Sequence, residues 1–118
     1  MKYQTIDSGK RQNFKSGMER DTDEGKPRYD LIFPKGLPIE DSLIYRWAML
    51  MQRGKTKYGE RNWEKADSQE ELDRFKSSAF RHFMDWYFGD NEEDHASAVF
   101  FNIGAVEFVK FKLKEDKK

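Results

Sequence analysis

Before Ile39 the chain shows no hydrophobic periodicity; beyond it, three segments repeat apolar side chains at the three- and four-residue spacing of a helix face. In the first, Leu43, Ile44, Trp47, Leu50 and Met51 form one stripe. Pro38 suits a first-turn position, Glu40 and Asp41 complement a helix N-terminus, and Gly54 is a stop signal. The pattern therefore predicts a helix over about Ile39–Arg53. In the second, Leu72, Phe75, Ala79, Phe83 and Trp86 are the stripe and Gly89 the stop. Its start is marked by Ser68-Gln69-Glu70-Glu71, a capping box in which Ser68 accepts from the N–H of Glu71 while Glu71 reaches back.

The third segment predicts a helix over about Asp94–Lys112, with Ala98, Val99, Asn102, Ala105, Val106 and Val109 on one face and Phe100, Phe108 and Phe111 elsewhere around it. A helix that is apolar on more than one side has more than one neighbour. Three helices leave part of it uncovered, so a homodimer or larger oligomer is expected. The fold class that follows is all-α: a small bundle of three main helices with an extended N-terminal arm.

The remainder is punctuation. Met1–Ser16 is polar and aperiodic and reads as a flexible arm. Within Gly17–Phe33, Asp23-Glu24-Gly25-Lys26-Pro27 reads as a turn, Gly25 free to take positive φ and Pro27 setting an extended path beyond it. Lys55–Asp67 is a polar loop between the first two helices, and residues 113–118 are a charged, solvated tail. The organisation expected is thus an arm over residues 1–16, one helical domain over 17–112 and the tail.

Composition narrows the function classes. Lysine plus arginine equal aspartate plus glutamate at 22 each, which argues against duplex DNA as a partner, since such binders carry an excess of base. Aromatics reach 15%, including ten Phe and three Trp, too many for a disordered chain. They leave ring surface for a subunit contact or a flat ligand. Cysteine is absent, which fits a cytoplasmic location and rules out a thiolate nucleophile or metal site. No stretch is long and apolar enough to span a membrane, and no basic-then-apolar signal segment opens the chain. A phosphate-binding glycine loop and a serine nucleophile elbow are missing too. Zinc is disfavoured by two histidines and no cysteine. Asp94-His95 has the reverse order of the His-Asp pair that metal phosphohydrolases of that type use.

The informative positions break the helix pattern. His82 falls within the apolar stripe of the second helix, with Asp85 one turn on from Arg81 and His82. His95 and Asn102 share a face of the third. A short connection makes the two helices antiparallel neighbours. That brings His82 and Asp85 against Asp94, His95 and Asn102. Either these groups form a paired structural network, or they are a site; burying them unpaired would destabilise the fold. The acidic turn Asp90, Glu92, Glu93, Asp94 is accounted for by the helix dipole, yet its carboxylates also suit Mg2+. Glu60 and Glu64 are weaker oxygen donors. "KYGERNWEK" is an ordinary surface loop with Trp63 on the core, or a lip on which Trp63 or Tyr58 stacks a base and Lys57 or Arg61 meets phosphate.

Three blocks, "RDTDEGKPRYDLI", "KYGERNWEK" and "FRHFMDWYFGDNEEDHASAVFFN", occur in the same order and with similar spacing in small phage-associated proteins called dATP/dGTP diphosphohydrolases, or pyrophosphohydrolases. The chain resembles that family from about Ser16 to Phe108. The resemblance implies a mainly helical, oligomeric enzyme that uses Mg2+ to cleave a purine deoxynucleoside triphosphate to monophosphate and pyrophosphate, in a bacterial host cytoplasm if phage-encoded. The matching positions are Arg20, Asp21, Gly25, Lys26, Arg28, Tyr29 and Asp30; then Lys57, Tyr58, Gly59, Asn62 and Trp63; then Arg81, His82, Trp86, Gly89, Asp94, His95 and Asn102. The distantly similar MazG-like pyrophosphatases carry Glu-Glu-x-x-Glu and Glu-x-x-Asp on successive helices. Neither appears at the expected places here, and capping accounts for Glu70-Glu71-x-Asp73.

On that implication, Lys26, Arg28 and Arg81 would contact phosphates, and Tyr29 would anchor the clamp they sit on. Lys57, Tyr58, Asn62, Trp63 and Asn102 would complete the nucleotide contacts, with Trp63 and Asn102 stacking or reading the base. Asp94 with Asp85 or Glu93 would hold Mg2+. His82, Asp94 and His95 form the catalytic set, one histidine orienting water or a phosphate oxygen. Two alternatives stay open: a non-catalytic phage protein that sequesters a nucleotide signal, and an interaction module whose histidines are structural.

Overall fold

The computed structural model describes residues 3–116, which fall into two compact units divided between Phe33 and Pro34. In the first, a two-stranded antiparallel sheet pairs β1 (Arg11–Asn13) with β2 (Glu19–Asp21), Gln12 standing opposite Arg20. The strands are joined by a turn in which Gly17 takes φ 92° and its N–H donates to the Phe14 carbonyl at 2.9 Å. The boundary expected after Ser16 therefore lies inside this hairpin, and part of the supposed arm is strand. Its strands are too short and too polar to show an alternating pattern in the sequence.

Asp21 ties this unit together. It accepts from the Ser8 backbone N–H at 3.2 Å and from the Ser8 hydroxyl, and it pairs with Lys26 at 3.3 Å. The Ser8 hydroxyl, ahead of the other contacts, holds its carboxyl below the usual range. The Asp23–Lys26 turn forms as its residues dictate: the Lys26 N–H donates to the Asp23 carbonyl at 2.9 Å, with Gly25 at φ 79°.

The second unit is helical: α1 (Leu43–Tyr58), α2 (Gln69–Tyr87) and α3 (His95–Asp116), with single 3-10 turns at Ile39–Asp41 and Asn62–Lys65. The helix α1 begins and ends later than the sequence pattern predicts. Ser42 caps it, its Oγ accepting from the Tyr45 N–H at 3.2 Å. Gly54 is passed over, because one glycine inside a helix costs only about 1 kcal/mol and the backbone bonds on either side persist. The stop is Gly59, at φ 95°, with Lys55 and Lys57 in the last turn facing the negative end of the dipole.

The start of α2 follows its capping box. Ser68 Oγ accepts from the Glu71 N–H at 3.2 Å, and Glu71 accepts from the Asp67 N–H at 3.1 Å and from the Ser68 hydroxyl at 2.7 Å. The helix α3 runs on through residues 113–116 of the expected tail; the last two residues lie outside those described.

The helices α2 and α3 are antiparallel: the beginning of α2 meets the end of α3 through Leu72, Phe75, Val109 and Leu113, and the end of α2 meets the beginning of α3 through the two histidines. On its other side α3 packs on α1, with Trp47 against Phe100 at 6.2 Å between ring centres. Lys112 closes the base of the unit, its ammonium donating to the carbonyls of Glu64 and Ala66. The core is small, and much aromatic surface stays outside it. Phe80, Phe83, Trp86, Tyr87 and Phe88 at the end of α2, and Phe100, Ile103 and Phe111 on α3, are exposed. The predicted α2 stripe thus turns halfway along: Leu72, Phe75 and Ala79 face inward, but His82 and Asp85 take the inner face where Phe83 and Trp86 were expected. Among the described residues no helix is long and apolar enough to cross a membrane.

Candidate functional site

The α2–α3 turn is what brings the polar residues together. The Phe88 N–H donates back to Met84 O, Gly89 at φ 85° reverses the chain, and the Asp90 N–H donates to Asp85 O at 2.9 Å. Asp90 then accepts from the Glu92 N–H at 2.9 Å, which rounds the turn into α3. The first residue of α3 is His95, only 4% exposed.

His95 Nδ1 lies 2.8 Å from His82 Nδ1, the rings tilted at 42°. As a hydrogen bond this contact needs one nitrogen protonated and the other bare. The other ring nitrogen of His95, Nε2, is buried with no hydrogen-bond partner among the described residues and faces Asp90 Oδ1 at 3.5 Å. Asp85 Oδ2 stands 4.0 Å from His95 Nδ1. Glu93 offers a carboxylate oxygen within 4.8 Å of both imidazoles. Burial first, then the positive charges of Arg81 and His95, push the His82 pKa below its ordinary value. The imidazole is therefore neutral at neutral pH, with a lone pair available.

Asp94 sits beside this pair and is engaged from α1. Arg46 of α1 grips both its oxygens, Nε to Oδ2 at 2.8 Å and Nη2 to Oδ1 at 2.7 Å. Asp94 Oδ1 also caps α3 by accepting from the Ser97 N–H at 3.2 Å. The Arg46 hydrogen bonds, more than any other contact, hold its carboxyl down to about 2. Asp94 is thus the brace that fixes the start of α3, and with it His95. Arg46 was missed in the sequence, although it interrupts an apolar stripe just as His82 does.

Asn102 is buried as expected, but its amide donates to the Ala98 carbonyl at 2.8 Å within its own helix. Seven residues beyond His95, it lies about 10 Å further along α3. Arg81 is exposed next to His82 and reaches it through its charge alone.

The second sequence block builds a different place. Lys57, Tyr58, Asn62 and Trp63 line a cleft of about 670 Å3 between the end of α1 and the Asn62–Lys65 turn, floored by Phe101. Trp63 is committed to that floor, edge-on to Phe101 at 5.7 Å and to Phe108 at 5.5 Å. Tyr58 stays 61% exposed, with the Lys57 ammonium 5.1 Å from its ring centre. Because α1 continues through Gly54, Arg53 and Lys55 join Lys57 and Arg61 around the cleft. A helix ended at Gly54 hides that basic rim from sequence analysis. The cleft and the histidine pair occupy different stretches of α3, Phe101 lying about 9 Å beyond His95.

The first block lies in the other unit. Lys26 pairs with Asp21, Arg28 pairs with Asp30 at 2.9 and 2.7 Å, and Tyr29 is exposed. Exposed pairs of this kind are worth little, so either cation can exchange its partner for a phosphate.

A purely oxygen-seeking ion does not match the centre of the α2–α3 site. Mg2+ takes oxygen ligands in near-octahedral geometry. Here two imidazole nitrogens stand at the middle and Asp94 is engaged by Arg46, which leaves Asp85 and Glu93 of the expected Mg2+ carboxylates.

No curated protein and no solved structure gives a significant match to this sequence. Residues 16–117, however, match the family model described as dATP/dGTP diphosphohydrolase, N-terminal, and the chain belongs to that family.

Proposed function

We propose that this chain hydrolyses a purine deoxynucleoside triphosphate, dATP or dGTP, to the monophosphate and pyrophosphate. Membership of the dATP/dGTP diphosphohydrolase family over residues 16–117 is the observation that carries this reading. In the reaction, water oxygen bonds to the α-phosphorus and the bond from that phosphorus to the α–β bridging oxygen breaks. Pyrophosphate leaves with that bridging oxygen, and the proton of the water passes to a base. His82 suits the role of that base, being neutral at neutral pH and steadied by its contact with His95. Arg81 beside it suits a phosphate oxygen.

Mg2+ enters with the triphosphate, which carries it in solution, and Asp85 and Glu93 are the carboxylates we assign to meet it. The exposed ring of Tyr58 and the basic rim of Arg53, Lys57 and Arg61 suit a base and its phosphates. The exposed aromatic side chains at the end of α2 and on α3 support a homo-oligomer as the working form, since clustered apolar surface marks contact sites. A bacterial cytoplasm, where deoxynucleotides are found, is the matching location.

A second reading, sequestration of a nucleotide without cleavage, is favoured by one observation: Arg46 engages Asp94, the carboxylate best placed by sequence to hold Mg2+. A panel of deoxynucleoside triphosphates with Mg2+, followed for pyrophosphate release and for nucleotide retention, separates the two. Release from dATP or dGTP that disappears in His82→Gln supports hydrolysis. Retention of intact nucleotide supports sequestration, and neither outcome across the panel removes both.

A further inference from the structure

We infer that His82 and His95 form the nitrogen edge of a binding site for a divalent first-row transition ion, completed by the carboxylate of Glu93. The ion is held by the protein itself and is not the Mg2+ that accompanies a nucleotide; with His82 and Glu93 bound to it, neither would serve as a free base or as a Mg2+ carboxylate, so this site and the roles given to those two side chains above are alternatives.

Four observations converge. The two Nδ1 atoms are 2.8 Å apart, and they come from different helices. Two imidazole nitrogens bound to one ion at about 2.1 Å, at right angles, stand about 3 Å from each other. The hydrogen-bonded pair already holds the two nitrogens near this spacing, and an ion would take the place of the single proton they share.

The remaining nitrogen of His95 supplies the second observation. Nε2 is buried, lacks a hydrogen-bond partner among the described residues and faces Asp90 Oδ1 at 3.5 Å. Metal-bound histidines characteristically turn their other N–H toward a carboxylate, which fixes the tautomer and makes the bound nitrogen a better donor. With Nε2–H directed at Asp90, Nδ1 of His95 is bare and accepts from His82 Nδ1–H, so binding an ion would release one proton. Asp90 is then a positioning residue.

Third, an oxygen donor is in reach. Glu93 lies within 4.8 Å of both imidazoles; Asp85, 4.0 Å from His95 Nδ1, groups with Asp90 and His95 and stands outside that set. Fourth, the frame is built in advance. The Arg46–Asp94 brace fixes the first turn of α3, and the Asp90 N–H to Asp85 O bond fixes the last turn of α2. The ion would not have to assemble its own site.

Donor chemistry sets the class of ion. Two imidazoles with a carboxylate suit manganese, iron, cobalt, nickel or zinc, and the nitrogens set them apart from Mg2+ and Ca2+. Zinc, disfavoured by the lack of cysteine, returns on this donor set, since two histidines and a carboxylate are a known catalytic zinc arrangement.

The test is a titration of the metal-stripped full chain with Co2+ at mildly alkaline pH in the presence of a large excess of Mg2+. Both the visible cobalt absorption and the histidine ring proton signals are followed. The expected result is one Co2+ per chain, with the rings of His82 and His95 both paramagnetically shifted and Mg2+ unable to displace the ion. His82→Gln, at a half-buried position, should weaken binding at least tenfold while circular dichroism stays helical. Asn102→Ala should leave binding within about twofold. No cobalt uptake by the folded chain, equal competition by Mg2+, or uptake unchanged in His82→Gln would each overturn the site. Cobalt bound by a chain that releases no pyrophosphate would uphold the site and count against hydrolysis alone.

Discussion

Arg46 and Asp94, separated by 48 positions in the chain, meet in a two-pronged ion pair at 2.8 and 2.7 Å that ties the first turn of α1 to the first turn of α3. His95 follows directly, so the pair sets the position of an imidazole that it never touches.

Removing the guanidinium tests this brace. Arg46→Met should lower stability at neutral pH by about 1–2 kcal/mol, less than a fully buried charge pair because solvent reaches both partners. The pKa of Asp94 is depressed in the folded chain, so the stabilisation is complete above the ordinary carboxylate value of 3.8 and is lost as pH falls to about 2. Urea midpoints of the two proteins should converge over that interval. A gap that survives strong acid would assign the effect of Arg46 to packing.

His82 makes an opposite kind of demand. Its folded pKa lies below the ordinary 6.5, burial being the first cause, with Arg81 and His95 adding to it and Glu93 and Asp85 opposing. The unfolded chain therefore binds the proton more readily, and stability present above 6.5 is lost as pH drops through the folded value. A proton NMR titration should place the His82 ring below a free histidine, and His82→Gln should flatten the pH dependence of the melting temperature. A ring that titrates at or above 6.5 would contradict the burial argument.

Trp63 and Tyr58 should part company. Trp63 holds the cleft floor against Phe101 and Phe108, so Trp63→Ala should cost about 2–4 kcal/mol of stability. Tyr58 is exposed, and Tyr58→Ala should leave the melting curve nearly unchanged while weakening nucleotide binding several-fold. Equal effects on stability would place both rings in the core.

Lys26 and Arg28 are held by exposed ion pairs, so alanine at either should change stability by less than about 1 kcal/mol. Nucleotide affinity should drop by more than that, measured by calorimetry with dATP and dGTP. Affinity unchanged in the double variant would remove this segment from the binding surface.

The aromatic surface makes a prediction about assembly. Trp86 is 52% exposed beside Phe83, Tyr87 and Phe88. Trp86→Glu and Phe100→Glu should reduce the mass measured by light scattering without reducing helix content. A wild-type chain that is already monomeric at high micromolar concentration would exclude the homo-oligomer.

Much of this molecule was legible because its signals are local. Ser68 and Glu71 lie one turn apart, so the capping box needs no distant partner to form. Leu72, Phe75, Val106 and Val109 announce their inward faces by spacing alone, and the short acidic turn makes α2 and α3 antiparallel. The meeting of His82 with His95 follows from those facts together. The helix bounds were less legible where one glycine had to be weighed against another: Gly54 stays helical, and Gly59 ends the helix because it, of the two, adopts the positive φ that a stop requires.

What the sequence by itself determined is the class of fold, the α2–α3 seam and the histidines on it, since periodicity and capping act within a turn or two. Tertiary structure decided which charge answers which. Asp94 is a brace rather than a free carboxylate because packing of α1 on α3 brings Arg46 across 48 positions. Trp63 lies on the core, Phe83 and Trp86 turn outward, and the polar strands pair through their backbones, each because its partner is chosen by packing and not by neighbours in the chain.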